Sequence, residues 1–211
     1  MIIGIPKETK FKENRVAITP LIAKDLIKQG FQVQVESGAG LNSFFSDESY
    51  QEAGATLTDK QVVYSSDIVL KVNAPLAEEV ALMKKGTVLI SFMWAATNPE
   101  LVSACESAGI SAFSMDAVPR ISRAQKMDAL SSQANLAGYK AVIMCANTLG
   151  KIFPMMTTAA GTIKPSKVVI FGAGVAGLQA IATAKRLGAM VEVSDIRPET
   201  KEQVQSLGGK F

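Results

Sequence analysis

Short runs of apolar and β-branched residues alternate with helix-like patterns along this chain, and the alternation limits the fold more than any other feature. We predict seven strands, over Ile2–Ile5, Phe31–Glu36, Asp67–Val72, Thr87–Phe92, Ile110–Phe113, Val168–Phe171 and Met190–Ser194. We predict seven helices, over Pro20–Gln29, Asp47–Ala53, Leu76–Met83, Pro99–Ala108, Ser131–Asn147, Ala176–Leu187 and Pro198–Leu207. Strands separated by helices are typical of parallel sheets built from βαβ units. We therefore expect an α/β fold.

The predicted elements fall into two groups. Residues 1–130 form an N-terminal α/β domain, residues 131–165 a linking helix and connector, and residues 166–211 the first part of a second domain. The expected architecture is two Rossmann-like parallel-sheet domains joined by a long helix. The second is truncated, because a complete domain of this kind has two βαβαβ halves. The chain is therefore expected to be a fragment or half of a split subunit, and its segment 155–165 either a small hairpin or a plain connector.

The composition excludes several classes of site. Histidine is absent from all 211 residues, which removes the commonest general acid–base group and the commonest metal ligand. The only cysteines, Cys105 and Cys145, lie in apolar helix-like stretches, and both are expected to be buried thiols rather than metal ligands. The net charge is +3 without a dense basic run, which argues against nucleic acid as a partner. We find neither a signal peptide nor an apolar stretch of about 18 residues, and expect no membrane insertion.

The sharpest motif is the sequence Gly172-Ala173-Gly174-Val175-Ala176-Gly177, which follows an apolar strand and opens an Ala-rich helix. In a dinucleotide-binding turn, the glycine at 172 permits the tight turn, that at 174 lets the backbone approach a pyrophosphate, and that at 177 allows close packing of helix on strand. The phosphates then lie at the helix N-terminus, near its free N–H groups. The alternative is a Rossmann-like turn that binds no nucleotide.

An acidic residue stands where a ribose-binding carboxylate is expected. Asp195 ends the strand that follows this helix, 18 residues after Gly177. A carboxylate there accepts hydrogen bonds from both ribose hydroxyls and repels a 2′-phosphate, so NAD is favoured over NADP. Arg197 complicates this inference, because an arginine nearby can accept that phosphate.

The segment before the long predicted helix is unusually polar for a connection. Arg120 and Gln125 can donate hydrogen bonds to a carboxamide oxygen or a ribose, and Asp128 can accept one from a carboxamide NH₂. Ser131 can do either, and it is also a good helix N-cap. Two interpretations stay open: a loop that holds a nicotinamide, or a solvated loop whose last residue, Ser131, caps the helix.

These residues resemble a known family, the proton-translocating transhydrogenases. The family's signature loop is similar to Pro119-Arg120-Ile121-Ser122-Arg123-Ala124-Gln125 followed by Asp128 and Ser131. Further similarity lies in Thr158-Ala159-Ala160-Gly161 and in the run from Gly172 to Arg197. Segments shared with alanine dehydrogenases as well are Gly4–Glu8, Glu13–Pro20 and Leu70–Val72. The resemblance covers essentially the whole chain.

The resemblance implies the NAD(H)-binding component of such an enzyme, which passes hydride between NADH and NADP⁺ held on a partner component. Asp128 and Ser131 would fix the nicotinamide carboxamide, Arg120 would brace the ring end, and Gln125 would reach toward the partner's nucleotide. The implied partners are the NADP(H)-binding component, a membrane component that couples the reaction to proton movement, and a second copy in a homodimer. The implied location is cytoplasmic, peripheral to the inner membrane.

Motif and resemblance together predict one set of cofactor contacts, with no catalytic residue and no metal ligand. The set comprises Arg120, Gln125, Lys126, Met127, Asp128, Ser131, Gly172, Gly174, Val175, Gly177, Asp195, Ile196 and Arg197.

Two alternative functions stay open. One is an oxidoreductase similar to alanine dehydrogenases, in which Arg15 and Lys71 would hold the substrate. That family uses a histidine after the strand matching Thr87–Phe92, and this chain has none. The other is a non-catalytic nucleotide-binding fragment. Direct transfer of hydride between two nicotinamides needs alignment rather than an acid or base, and a chain without histidine suits that reaction.

Overall fold

The computed structural model describes all 211 residues, which form two compact units, Met1–Met127 and Asp128–Phe211. The strands of the first unit are β1 (Ile2–Ile5), β2 (Gln32–Glu36), β3 (Thr56–Thr58), β4 (Ile68–Leu70), β5 (Val88–Ser91) and β6 (Ser111–Ser114). Its α-helices are α1 (Pro20–Lys28), α2 (Asp47–Glu52), α3 (Lys60–Tyr64), α4 (Ala77–Val80) and α5 (Pro99–Ser107). Short 3₁₀ helices cover Leu41–Ser43, Ala95–Thr97, Met115–Ala117 and Ser122–Met127.

The first unit is built on one parallel sheet of six strands in the order β3-β2-β1-β4-β5-β6. The chain winds outward from β1 in one direction and from β4 in the other. The crevice beyond the carboxyl ends of these two strands is therefore the topological switch point of the sheet.

Alternating side chains place a hydrophobic core on each face of this sheet. Ile5 and Val35 are fully buried in one cluster, and Val69 and Leu89 are fully buried in the other. The register pairs Val69 with Gly4, which has no side chain. A Cβ atom at Gly4 would overlap the backbone of α3, so glycine allows that helix to lie directly on the strand.

The second unit begins with the long helix α6 (Ala129–Thr148), followed by β7 (Met156–Thr158) and β8 (Gly161–Ile163). It continues with β9 (Lys167–Phe171), α7 (Val175–Arg186), β10 (Met190–Ser194) and α8 (Thr200–Ser206). Strands β9 and β10 are parallel, with Lys167 opposite Met190 and Phe171 opposite Ser194. Val142, Ile181, Val193 and Val204 form the buried core between helices and strands, and each such side chain contributes about 1.5–3 kcal/mol on burial.

The α/β fold with parallel sheets and two Rossmann-like units is as predicted, but two elements were missed. Strand β3 has three residues and α3 has five, too few for a strand or helix period to show in the sequence. Asp59 starts α3 by accepting a hydrogen bond from Val62 N.

Two further sequence predictions meet the structure here. Cys105 is buried as expected, but the prediction for Cys145 was wrong, because it lies on an exposed face of α6. Of the two possibilities for segment 155–165, the structure has the hairpin, with β7 and β8 antiparallel. No helix combines the length and the apolar composition that crossing a membrane requires.

Candidate functional site

The glycine-rich turn joins the end of β9 to the start of α7. Gly172 has φ +95°, a left-handed backbone conformation that only glycine adopts at little cost. Its N–H donates to Ser194 O at 2.8 Å, which ties the turn to the end of β10. The predicted role of Gly172 in making a tight turn therefore follows directly from its backbone.

Gly177 is required by a close approach inside the turn. A Cβ atom there would lie 2.9 Å from the carbonyl carbon of Gly172 and closer still to its oxygen, whereas the nearest strand atom, in Ile170, is 3.7 Å away. From the motif alone, this glycine was predicted to allow close packing of helix on strand. The structure shows instead that the tighter constraint is the backbone of the turn.

Gly174 is the one glycine of the motif that the protein itself does not need. It is the N-cap of α7 with φ −77° and ψ −170°, an extended conformation open to any residue. A Cβ atom there would meet nothing within 4 Å. The missing side chain leaves open space in front of the helix, as a ligand that approaches the backbone would need.

The first turn of α7 has unpaired donors. No side chain caps the helix, and its first internal hydrogen bond runs from Leu178 N to Gly174 O at 2.8 Å. The preceding N–H groups, including those of Val175 and Ala176, have no partner within the helix. They lie at the positive end of the helix dipole, which favours an anion such as a phosphate.

A residue that the sequence analysis missed positions this helix end. Gly138 in α6 is buried against α7, and a Cβ atom there would lie 2.9 Å from the carbonyl carbon of Ala176 and closer to its oxygen. Glycine therefore lets α6 touch the first turn of α7. The available signal was a glycine in the middle of a helical pattern, which costs about 1 kcal/mol relative to alanine and so calls for a packing reason.

Asp195 lies beside the turn, as predicted. Its Oδ2 accepts from Ala173 N at 2.6 Å, and its Oδ1 accepts from Arg197 N at 2.8 Å. The Arg197 side chain also donates, from Nε to Oδ1 at 3.0 Å and from Nη2 to Oδ2 at 2.9 Å. These bonds, first those of Arg197 and then that of Ala173, hold the pKa of Asp195 well below its usual range. The carboxylate is thus ionised and fixed next to the glycine turn.

The two residues after Asp195 differ in what they offer a ligand. The Ile196 side chain is 98% exposed and contacts no core. The Arg197 side chain is 50% exposed, whereas that of Asp195 is only 3% exposed. The structure therefore brings together Gly172, Gly174, Val175, Gly177, Asp195 and Arg197 in one place within the second unit.

The predicted nicotinamide-binding residues of the first unit lie in its last 3₁₀ segment and the loop before it. Arg120, Gln125, Lys126 and Met127 are all exposed, while Ala124 is buried and anchors the segment. The side chains of Arg120 and Gln125 make no hydrogen bond in the protein. Their donors are thus available to a ligand.

Asp128 and Ser131 are hydrogen-bonded to each other at the start of α6, and Asp128 is the residue that caps the helix. Asp128 is the N-cap of α6, and its Oδ1 accepts from Ser131 N at 2.8 Å. Of the two interpretations that the sequence left open, the one in which Ser131 caps the helix is therefore wrong: the helix begins at Ala129, so Ser131 lies within its first turn. The Ser131 hydroxyl makes no hydrogen bond in the protein.

The first unit has a buried ionic cluster at its switch point. Lys71 Nζ lies 3.1 Å from Tyr64 Oη, 3.3 Å from Glu79 Oε2 and 3.7 Å from Glu8 Oε2. The side chains of Lys71, Glu8 and Glu79 are each at most 2% exposed. Burial, the largest influence, raises the pKa of Glu79, but the Leu76 N–H and the charge of Lys71 together lower it.

The second basic residue shared with alanine dehydrogenases is also paired. Arg15 Nη2 lies 2.6 Å from Glu13 Oε2, and the guanidinium holds the pKa of the Glu13 carboxyl at about 2. In the loop after β5, where the resemblance places the histidine of alanine dehydrogenases, Trp94 stands in a left-handed conformation with φ 51°. Asp116 holds it there by accepting from the N–H groups of Met93 and Trp94 at 2.8 and 3.1 Å.

Comparison with known proteins gives consistent matches along the chain. The family described as alanine dehydrogenase/PNT, N-terminal domain, matches residues 4–137, and the corresponding C-terminal domain matches residues 141–211. NAD(P) transhydrogenase subunit alpha of Haemophilus influenzae is 51% identical over all of this chain and 41% of its own length. The first part of NAD(P) transhydrogenase subunit alpha of Rhodospirillum rubrum is 53% identical over all of this chain and 57% of its own length.

Alanine dehydrogenases are more distant. That of Bacillus subtilis is 36% identical over 99% of this chain and 56% of its own length. Among solved structures, transhydrogenase from Sinorhizobium meliloti superposes with a TM-score of 0.96 at 50% identity, over all of this chain and 61% of that one. An L-alanine dehydrogenase gives 0.85 at 31% identity, over 99% of this chain and 58% of that one.

The chain spans about half the length of these curated relatives, between 41% and 57%. Both halves of the family description match it, and its identity to the transhydrogenase alpha subunits exceeds its identity to the alanine dehydrogenases. The chain therefore belongs to the alanine dehydrogenase/PNT family, and within it resembles the transhydrogenase alpha subunits more than the alanine dehydrogenases.

Proposed function

We propose that this chain is the NAD(H)-binding component of a proton-translocating transhydrogenase. Residues 166–211 supply the first part of the NAD-binding domain, residues 1–130 the N-terminal domain, and residues 131–165 the linking helix and connector. NADH, when bound, supplies a hydride that passes to NADP⁺ on a partner component. The chain's own residues bind and orient the nucleotide.

The observation that carries the proposal is the open space at Gly174. Neither the backbone conformation nor packing inside the protein requires a glycine at this position. The absence of a side chain there would therefore serve a ligand. The unpaired N–H groups of the first turn of α7 suit a pyrophosphate. The two flanking glycines serve the turn itself, so the motif has two structural glycines and one that serves a ligand.

The choice of NAD over NADP rests on Asp195. Its carboxylate is ionised beside the turn, where it can accept hydrogen bonds from a ribose diol and repels a 2′-phosphate. Ile196 and Val175, both exposed, line the same end. The nucleotide selected is therefore NAD(H), and NADP(H) belongs to the partner.

The nicotinamide end is assigned to the 120–131 segment. Arg120 and Gln125 have free donors, and the Ser131 hydroxyl has no partner. The Asp128 carboxylate is fixed by its capping bond, so it can accept from the carboxamide without losing its orientation; Lys126 and Met127 complete the surface. Transfer of hydride between two nicotinamides needs these groups to align the ring, and needs no proton carrier.

An activity like that of alanine dehydrogenases is disfavoured by the composition of the chain. Lys71 and Arg15, the basic residues that such a site would use, are paired with acids of the chain itself. Two of these acids lie in the segments shared with alanine dehydrogenases, so the pairing does not distinguish the two activities. No histidine is available to carry a proton. A complete chain is therefore expected to show no oxidation of NADH that depends on pyruvate and ammonium, and such activity would favour this alternative.

The partners in this proposal are the NADP(H)-binding and membrane components, with a second copy of the chain in a homodimer. The hairpin of β7 and β8, whose residues are all exposed, is a candidate for the dimer contact. The location is cytoplasmic, at the inner membrane through those partners.

The experiment is a calorimetric titration of the chain with NADH and with NADPH. It is run with the chain alone and with a polypeptide that supplies the second βαβαβ half of the nucleotide-binding domain. Binding of NADH at least about tenfold tighter than NADPH, strengthened by the added polypeptide, supports the proposal. Absence of binding in both settings contradicts it and favours a non-catalytic module whose glycine turn is scaffold.

A further inference from the structure

In this structure, donors of the chain itself take every acceptor position of the Asp195 carboxylate, which a ribose would also need. An ionised carboxylate offers about four lone-pair positions on its two oxygens. The protein uses all four, through the N–H groups of Ala173 and Arg197 and through Nε and Nη2 of the Arg197 side chain. A ribose diol that binds this carboxylate must therefore displace some of these donors.

The four donors divide into a fixed pair and a movable pair. The Ala173 N–H belongs to the glycine turn, and the Arg197 N–H belongs to the same short loop as Asp195, so neither can leave without unfolding the site. The guanidinium is on a flexible side chain that is half exposed. It can turn into solvent while the backbone bonds keep the carboxylate in place.

The two side-chain donors of Arg197 are arranged like the two ribose hydroxyls that they would exclude. Arg197 donates two bonds side by side, one to each oxygen of Asp195, at 3.0 and 2.9 Å. Two adjacent ribose hydroxyls present donors to a carboxylate in the same paired manner. The guanidinium thus occupies the position that the diol would take.

We propose that Arg197 is an internal occupant of the ribose subsite, which NAD must displace, and that it thereby sets the nucleotide affinity of this chain. The inference rests on the proposed function, because it names the competitor within that same site. The guanidinium of this ion pair is half exposed, although the carboxylate is only 3% exposed, and ion pairs with a partner in solvent are weak. The competition therefore lowers the affinity for NADH only about two- to fivefold.

The test is NADH titration of four variants of the whole chain. Arg197→Gln removes the competing cation and keeps the backbone bond, and we expect its Kd for NADH to fall about two- to fivefold. Arg186→Gln, at the opposite end of α7 and also exposed, removes the same charge away from the site and is expected to leave the Kd unchanged. Circular dichroism checks that each variant is folded.

The other two variants test whether the effect acts through the carboxylate. Asp195→Asn removes the ion pair, so adding Arg197→Gln to it should no longer tighten binding. Unchanged or weaker NADH binding in Arg197→Gln overturns the inference alone, because the arginine would then be inert or a direct contact of the nucleotide. Equal tightening in the Asp195→Asn background also overturns it. Failure of every variant to bind NADH contradicts the inference and the proposed function together.

Discussion

Replacing Gly174 by alanine separates a glycine that serves a ligand from one that serves the fold. The backbone at Gly174 is extended, and a Cβ atom would meet nothing within 4 Å. Alanine gains about 0.4–1 kcal/mol by restricting the unfolded chain and loses about 0.5–1 kcal/mol as a poorer N-cap. These effects offset each other, so the free energy of unfolding should change by less than about 1 kcal/mol.

Binding should change far more than stability. The new methyl group stands in the open space before the first turn of α7, where a pyrophosphate would approach the N–H groups. Loss of one hydrogen bond to a charged group costs about 1.5–3 kcal/mol, so the Kd for NADH should rise about 10- to 100-fold. Calorimetry measures the affinity, and urea unfolding of the free protein measures the stability.

Gly177→Ala is the matched control, with the opposite result expected. Its Cβ atom would overlap the Gly172 carbonyl, and forcing such contacts costs about 1–3 kcal/mol. The upper end applies because the contact is with backbone, and the gain in helix propensity of about 1 kcal/mol leaves a net loss of about 2 kcal/mol. If Gly174→Ala stays folded and binds NADH as tightly as the unsubstituted chain, the assignment of Gly174 to a ligand is refuted.

Substitutions in the Lys71 cluster, at the cap of α6 and at Glu13 test the remaining features. Lys71→Met leaves two buried glutamates without their cation and should lower the free energy of unfolding by about 3–5 kcal/mol. Lys60→Met, at a partly exposed residue, should lower it by no more than about 1 kcal/mol. Urea unfolding measures both. Asp128→Asn should keep the helix cap, while Asp128→Ala should lose it and about 1 kcal/mol of stability. Ser131→Ala should leave thermal stability unchanged. A lower thermal stability of Ser131→Ala would indicate that the serine is the cap after all. The low pKa of Glu13 adds stability that is present above its ordinary value of 4.5 and disappears as the pH falls toward about 2. Glu13→Gln should therefore flatten the decline of stability across that range in acid unfolding curves.

The strands of this fold could be predicted where they are buried, since parallel strands covered on both faces read as continuous apolar runs. Strand β3 carries two threonines in three residues and lies at the edge of the sheet, so it has no such run. The exposure of Cys145 depends on which face of α6 is covered. That face is set by contacts with α7, more than 20 residues further along the chain, which no local pattern contains.

The site was predictable to the extent that its residues are close in sequence. The glycine turn and Asp195 belong to one strand–helix–strand unit, whose spacing the sequence displays. Gly138 was missed because its partner, Ala176, lies 38 residues away on another helix. The cap of α6 was misassigned because Asp128 and Ser131 are both good caps three residues apart, and only the true start of the helix decides between them.

The charged groups of the two units differ in how easily a ligand could displace them. In the first unit, a carboxylate substrate would have to separate Lys71 from two acids, all three nearly inaccessible to solvent; breaking such a buried cluster costs about 3–5 kcal/mol. In the second unit, a ribose would have to displace only the half-exposed guanidinium of Arg197, at a cost within the small range of exposed ion pairs. A ligand would therefore displace the guanidinium of Arg197 at a lower cost than it would open the Lys71 cluster, which makes the second unit the easier of the two for a ligand to enter.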